Sequence, residues 1–380
     1  SIRGKERIKM RILICGGGTG GHIYPGLALA RYIQQNEKDP EILFVGTARG
    51  LEKKVVPEAG FALEEIPVRA FKKYPPGETW GATVDLCRSI KQSLGIIRRF
   101  QPDIVIGTGG YVAGPVVLAS KMGRRPIVIH EQNAIPGRTN RILASWANRV
   151  CISFEDSRKH FKNRRVILTG NPRAGEVVAL SREEGFQRLG RLNPQKKTVL
   201  VMGGSQGALR INEVMVDLIM NGGGLPPGSQ LLYITGNLYY ERVRKQLKGG
   251  LLSGVVLMPY LNDMPSALAV ADLVISRAGA TALAEITARG VPALLIPSPN
   301  VAYNHQYFNA RLLEKEGAAR IIPEEDFTAT RLAQVMKELF GTPGRLEEMA
   351  RKSRDMGIPD AAGRMYRCIL EVIGTKKSGE

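Results

Sequence analysis

Three times along 380 residues, a short apolar run ends in a glycine-rich turn. Arg11–Cys15 leads into Gly16-Gly-Gly-Thr-Gly-Gly-His22, Ile104–Ile106 into Gly107-Thr-Gly-Gly-Tyr111, and Thr198–Met202 into Gly203-Gly-Ser-Gln-Gly-Ala208. Such a turn removes the side chains that would keep a ligand off the backbone. Bare N–H groups at the positive end of the following helix can then approach an anion. One turn of this kind says little. Three, divided between two similar halves, imply phosphorylated ligands held on both sides of a cleft.

The rest of the chain repeats the same unit. Strands are expected at Ile12–Cys15, Ile42–Val45, Ile104–Ile106, Ile127–His130, Val150–Ser153 and Val166–Thr169. A second series follows at Val199–Met202, Leu231–Thr235, Val255–Met258, Leu273–Ser276, Ala293–Pro297 and Ala319–Ile322. Continuous apolar strands separated by helical stretches indicate parallel sheets covered on both faces. The fold class is therefore α/β, with two doubly wound parallel-sheet domains whose ligands belong at the carboxyl ends of the strands. Gly170-Asn-Pro-Arg173 marks the boundary, giving domains 1–170 and 171–356. Gly357-Ile-Pro359 breaks the chain again before a final helix, Ala361–Ile373, within 357–375.

An apolar fraction of 43% and a charged fraction of 23% are those of a globular protein. No apolar run approaches the about 18 residues needed to cross a bilayer, and no signal peptide is visible. Ser1–Lys9, charged and aperiodic, is expected to be a disordered lead before Met10. Cys15, Cys87, Cys151 and Cys368 form no C-x-x-C pair, so reduced thiols in a cytosolic protein are expected.

The net charge of +19 is uneven: residues 1–170 carry 28 Lys and Arg against 14 Asp and Glu. An anionic partner for the first half follows. In 68–100 the cations Arg69, Lys72, Lys73, Arg88, Lys91, Arg98 and Arg99 alternate with Phe71, Tyr74, Trp80, Val84, Leu86, Leu94, Ile96 and Ile97. Cations ringing apolar groups describe contact with an anionic membrane surface; the competing reading turns the apolar residues into the core. No nucleic-acid motif is present, and no nucleic-acid partner is expected.

Gly16-x-Gly18-x-x-Gly21 satisfies the dinucleotide fingerprint formally. That fingerprint also expects an acid about 20 positions on, at the end of the second strand, to hold a ribose. Phe44-Val-Gly-Thr47 supplies none, which disfavours an NAD enzyme. His22 closes the first turn where a helix begins, and its ordinary pKa near neutrality suits a general base. In Ser276–Glu285, Gly279 permits close approach, the amides around Ala280 face an anion, and Glu285 can accept both hydroxyls of a ribose; among Ala282, Leu283 and Ile286 it needs a partner. Gln306 and Asn309 share a helix face, and paired amides suit sugar hydroxyls. There is no Asp-x-Asp pair to hold a diphosphate through a metal. Helix N-termini, Ser205, Arg173 and Arg277 are left to neutralise it.

Taken in order, Gly17–His22 with Pro25, Gly107–Tyr111, His130-Glu-Gln-Asn133, Gly170–Arg173, Gly203–Gly207 and Arg277-x-Gly-Ala280 with Glu285 resemble the MurG family, the lipid I N-acetylglucosaminyltransferases of bacterial peptidoglycan synthesis. The resemblance runs from Met10 to about Gly374. It implies a GT-B fold, two Rossmann-like domains facing a cleft, with the final helix packing back on the first domain. It implies UDP-N-acetylglucosamine as donor. Leu261 would sit by the uracil, Glu285 on the ribose, and Ser205 with Gly279 and Ala280 on the diphosphate. Arg173 and Arg277 would lie near the nucleotide, and Gln306 and Asn309 on the sugar. Thr19, Gly20, Gly21 and Asn133 would also reach the donor, and Asn133 with Tyr111 would line the acceptor site. The lipid I diphosphate would sit on Gly18, Thr19, Gly20, Gly21, Thr108, Gly109, Gly110 and Tyr111. His305 occupies a position that varies in the family.

The implied reaction is metal-independent and inverting, with no cofactor. The C4 hydroxyl of N-acetylmuramic acid attacks C1 of the donor sugar, UDP leaves, and His22 is the candidate base, with Glu131 as its substitute. The implied location is peripheral, on the cytoplasmic face of the plasma membrane. Another enzyme of the same architecture, a glycolipid glycosyltransferase or a UDP-N-acetylglucosamine 2-epimerase, is the nearest rival. An epimerase would need acid and base groups around the donor sugar and no membrane patch.

Overall fold

The computed structural model describes residues 9–69, 76–162, 165–204, 206–221, 224–247 and 254–377, without the side chains of 76–80 and 375–377. The chain divides into two compact units: Ser1–Pro172 with Asp360–Glu380, and Arg173–Pro359.

In the first unit the strands are β1 (Arg11–Gly16), β2 (Glu41–Gly46), β3 (Ala62–Glu65), β4 (Ile104–Gly109), β5 (Ile127–Glu131), β6 (Arg149–Ile152) and β7 (Val166–Leu168). They form one sheet in the order β3-β2-β1-β4-β5-β6-β7, and every neighbouring pair is parallel. The second unit holds β8 (Lys197–Met202), β9 (Ser229–Ile234), β10 (Val255–Met258), β11 (Ala271–Ser276), β12 (Ala293–Leu295) and β13 (Ala319–Ile321). Their order is β10-β9-β8-β11-β12-β13, again parallel throughout.

The first sheet has one strand more than the six expected. β3 reads Ala-Leu-Glu-Glu and carries no buried residue. As the edge strand it presents charge to solvent, which blunts an open edge and erases the apolar signature of a central strand. Central strands read as the sequence indicated because both faces are covered: Ile12, Leu13, Ile14 and Cys15 are all buried, and so are Val199, Leu200 and Val201.

In both units strand order reverses beside the first strand, between β1 and β4 and between β8 and β11. Neighbouring strands there send their chains to opposite faces, which opens a crevice at their carboxyl ends. The glycine turns lie at these two points. The turns after β1 and β4 flank the first. The turn after β8 and the Arg277–Gly279 turn after β11 flank the second, so the pattern seen three times in the sequence occurs four times in space.

The final helix runs Ala361–Lys377 and belongs to the first unit. Met365, Ile369 and Val372 enter the core with Ile12, Ile14 and Leu29. The Tyr366 hydroxyl donates to Glu37. Cys368 Sγ lies 3.8 Å from Cys151 Sγ, both as free thiols, so two cysteines far apart in sequence meet in the core.

Of the basic-apolar segment, residues 70–75 lie outside the described residues; the helix Pro76–Phe100 follows. Val68, Ala82, Ile96 and Ile97 are buried, and Leu94 packs on the core. The core reading therefore holds for these positions. Arg69 pairs with Asp85 at 2.7 Å and Arg99 with Glu64 at 2.8 Å, while Arg88 and Lys91 are exposed.

Candidate active site

At the first reversal point the two turns interlock. A Cβ on Gly110 (φ +78°) would lie 2.3 Å from the Gly17 carbonyl oxygen, and one on Gly18 would lie 2.8 Å from the Tyr111 ring. Only glycine allows the two loops to touch backbone to backbone here. Thr19 caps the helix Gly20–Asn36 with extended backbone, but its hydroxyl makes no capping bond. Thr19 is exposed, as are Gly18 and Gly21. An uncapped helix N-terminus carries unsatisfied amides and a positive dipole end, which together suit an oxyanion.

His22 stands one turn into that helix. Its Nδ1 lies 3.2 Å from the Thr108 carbonyl oxygen. A carbonyl can only accept, so this contact places the ring proton on Nδ1 and leaves the lone pair on Nε2. The same carbonyl accepts from Gln132 Nε2 at 2.7 Å. Gln132 Nε2 is also 3.1 Å from His130 Nδ1, and His130 Nε2 lies 3.0 Å from the Gly170 carbonyl. His130 thus donates from Nε2 and accepts at Nδ1. Burial pushes its pKa down to about 4, so the ring is neutral. Thr108 itself is buried, with its hydroxyl donating to the Cys15 carbonyl; what it presents toward His22 is its carbonyl.

Glu131 is saturated. Oε1 accepts from the Asn133 amide at 2.9 Å and Asn133 Nδ2 at 3.2 Å; Oε2 accepts from Asn140 Nδ2 at 2.9 Å and the Gly137 amide at 3.2 Å. Burial pushes this carboxyl up and the four donors oppose the shift. Its geometry is that of a brace holding Asn133, not of a base with a free lone pair.

Glu52 was not visible as a site residue. It is 1% exposed and accepts from the Thr47 amide at 3.0 Å, the Thr47 hydroxyl at 2.8 Å and the Gly18 amide at 3.3 Å. The acid missing from the end of β2 arrives just after it and ties down the glycine loop.

In the second unit Arg173 supplies the partner that Glu285 needs. Its Nε donates to Glu285 Oε1 at 2.8 Å, and it also pairs with Glu176. Glu285 is 6% exposed. Burial pushes its carboxyl up, and Arg173 pulls it back toward the ionised form. Glu285 lies in the helix Ala280–Arg289, whose N-cap, Gly279, offers no side-chain cap, and a Cβ there would meet nothing within 4 Å. The Gly279 position at the helix start therefore faces open space, while Ala280 is buried. Arg277 is fixed beside them by Glu324 and by the Ile296 carbonyl at 3.1 Å.

Asn309 is fully buried, with Nδ2 3.2 Å from the Ala278 carbonyl, so it supports the Gly279 turn from beneath. Gln306 Oε1 accepts from the Ser298 amide at 2.9 Å, which leaves its NH2 directed elsewhere. His305 Nδ1 contacts the Ala302 carbonyl at 2.9 Å, and burial lowers its pKa. Leu261 follows β10, half-buried, at the carboxyl end. Ser205 lies outside the described residues. Its loop is fixed by Gly207, where a Cβ would come 2.2 Å from the Thr235 carbonyl, opposite Gly236, which the sequence did not single out.

Comparison with known proteins gives this arrangement its class. The model of the glycosyltransferase family 28 N-terminal domain matches residues 12–152, and that of the family 28 C-terminal domain matches residues 198–365. Two doubly wound units matched in this order define a two-domain glycosyltransferase. A relative from Caldanaerobacter subterraneus is named UDP-N-acetylglucosamine--N-acetylmuramyl-(pentapeptide) pyrophosphoryl-undecaprenol N-acetylglucosamine transferase. It is 45% identical over 96% of this chain and 100% of its own length. One of the same name from Bacillus pumilus is 43% identical, over 96% of this chain and 100% of its own. The crystal structure of Acinetobacter baumannii MurG superposes with a TM-score of 0.77 at 26% identity, covering 95% of this chain and 99% of that one. The chain belongs to the family of these N-acetylglucosamine transferases.

Proposed function

We propose that this chain performs the reaction for which its relatives are named. It moves N-acetylglucosamine from UDP-N-acetylglucosamine to the C4 hydroxyl of the N-acetylmuramyl group of undecaprenyl-diphosphate-linked N-acetylmuramyl-pentapeptide, converting lipid I to lipid II. The contact between His22 Nδ1 and the Thr108 carbonyl carries the mechanistic reading, because it leaves Nε2 as an oriented acceptor beside an uncapped helix N-terminus. His22 Nε2 takes the proton of the C4 hydroxyl as its oxygen bonds to C1 from the side opposite the leaving group. The C1–O bond to the diphosphate breaks, its electron pair goes to UDP, and the configuration at C1 inverts. General-base assistance is worth about 10²–10⁴-fold.

Glu285 accepts the ribose hydroxyls. The Gly279 and Ala280 amides, Ser205, Arg173 and Arg277 receive the diphosphate, and Leu261 borders the uracil. The Gln306 amide meets the sugar, with Asn309 holding the turn beside it. Gly18, Thr19, Gly20, Gly21, Gly109, Gly110, Tyr111 and Asn133 form the acceptor side. Charge on the leaving diphosphate is met by arginine and helix dipole, so no metal is required. Transfer of labelled N-acetylglucosamine to a lipid I analogue with EDTA present tests the reading. His22→Ala should keep UDP affinity and lose about 10²-fold or more in kcat; a variant with near wild-type turnover removes His22 from the chemistry.

The acceptor's lipid requires the first unit to meet a membrane, and no helix among the described residues is long and apolar enough to cross one. We place the contact on 68–100, through Lys72 and Lys73 with the exposed Arg88 and Lys91, on the cytoplasmic face of the plasma membrane. Binding to anionic vesicles should weaken with salt and on charge reversal at Lys72, Lys73 and Arg88. Equal binding to neutral vesicles overturns the assignment.

A further inference from the structure

The second unit has a cavity of about 480 Å³ on the face opposite its glycine turns. Lys197 opens β8, Ala271 and Asp272 open β11, and Pro292 precedes β12. In a parallel sheet these are amino ends, whereas Gly279, Arg277 and Gly204 follow carboxyl ends. The volume is that of a small-molecule site.

Its charge does not balance. Four cations line it, Arg182, Lys197, Arg289 and Arg354, with two acids, Asp272 and Glu347. Asp272 is taken by Arg182 at 2.8 Å and by the Thr198 amide at 2.7 Å, and Glu347 by Lys197 at 3.1 Å. Among the described residues no carboxylate pairs with Arg289 or Arg354. The guanidinium of Arg289 is held below its usual range by burial and then by the neighbouring charges of Arg182 and Arg354, so these cations crowd one another. The fold brings Arg354 in deliberately: Gly290 (φ +71°) sits where a Cβ would come 2.9 Å from Arg354 Cβ and Nε. Leu268, Val291 and Leu346 give the cavity an apolar wall.

We propose that this cavity binds a small phosphate ester, its phosphoryl oxygens on Arg289 and Arg354 and its organic group on the apolar wall. Guanidinium forks match phosphate oxygens in pairs, and an anion relieves the repulsion that the two arginines otherwise bear. The helix Ala280–Arg289 ends here and begins at the Gly279 turn, so the proposed site lies at the far end of the helix that carries Glu285.

The test is arginine modification by phenylglyoxal on the full chain at saturating UDP, with adducts mapped by mass spectrometry. Inorganic phosphate and phenyl phosphate should slow modification of Arg289 and Arg354 at least threefold in a saturable manner, phenyl phosphate at lower concentration. Chloride at equal ionic strength should not. Arg354→Gln should abolish the protection of Arg289 while leaving glycosyl transfer at the wild-type rate, which also reports an intact fold. No protection, equal protection by chloride, or protection that survives Arg354→Gln overturns the proposal. None of these results bears on the transfer reaction.

Discussion

The Glu52 carboxylate accepts a hydrogen bond from the Gly18 amide at 3.3 Å, and the same side chain holds Thr47 through its amide and hydroxyl. One of the loop's N–H groups is therefore spent inside the protein. The glycine turn after β1 is braced from beneath by a carboxylate, and under the proposed function anion binding falls to Thr19 and the amides of the helix start.

Glu52→Ala should accordingly act on stability and on the acceptor. It leaves buried donors at Thr47 without partners, which costs about 1–3 kcal/mol. Urea unfolding should show a lower midpoint with an unchanged slope. In the transfer assay KM for the lipid I analogue should rise while the KM for UDP-N-acetylglucosamine holds. A variant with wild-type midpoint and KM would show that the loop keeps its shape unaided.

Gln132 donates to the carbonyl that orients His22 and leans on a neutral His130. Gln132→Leu removes a buried donor from Thr108 O and frees the carbonyl to move. kcat should fall by about tenfold, the worth of one hydrogen bond of about 1.4 kcal/mol, with UDP affinity unchanged. Since Gln132 acts through His22, the loss should vanish in a His22→Ala background. Full additivity of the two losses would sever Gln132 from the base.

Arg173 and Glu285 form a nearly buried pair, 2.8 Å from Nε to Oε1. Removing one partner of such a pair costs about 3–5 kcal/mol, because the other is left as an uncompensated charge. Arg173→Met should therefore destabilise more than Glu285→Gln, and the double variant less than the sum of the two. Burial already pushes the Glu285 carboxyl up. Without Arg173 it rises further, so the acid-side weakening of UDP binding should begin at a higher pH in Arg173→Met than in the wild type. Calorimetry at several pH values checks this; a flat variant profile would take Glu285 off the ribose.

The topology was legible wherever strands are buried on both faces, because continuous β-branched runs such as Ile12–Cys15 have one physical explanation. β3 was not, since an edge strand of Ala-Leu-Glu-Glu looks like solvent-exposed coil. In the site, glycine positions stood out because close backbone approach excludes every other residue. The partners were hidden: nothing in sequence ties Glu52 to Gly18, Arg173 to Glu285 or Cys151 to Cys368. Those pairings arise only once parallel crossovers bring distant strand ends together. Asn309 shows the limit of periodicity, which put it on one face with Gln306. The packing sends its amide inward to Ala278.

His130 gives the clearest dependence of stability on pH. Its folded pKa is lowered from 6.5 to about 4 by burial, between the Gly170 carbonyl and Gln132. Above pH 6.5 the ring is neutral in both states and contributes no slope. Below it the unfolded chain takes up a proton that the native state refuses, so stability falls as pH drops toward 4. At 1.36 kcal/mol per unit the full loss is about 3 kcal/mol. His130→Gln should be less stable than wild type at pH 7.5, because the Gly170 carbonyl loses the ring N–H at 3.0 Å and keeps the weaker contact from Thr169 Oγ1 at 3.2 Å. Its unfolding free energy should then decline less steeply with acid by one proton, so the two curves converge between pH 6.5 and 4. Denaturant titrations across that range measure both slopes, and parallel curves would mean that His130 takes up its proton without leaving the fold.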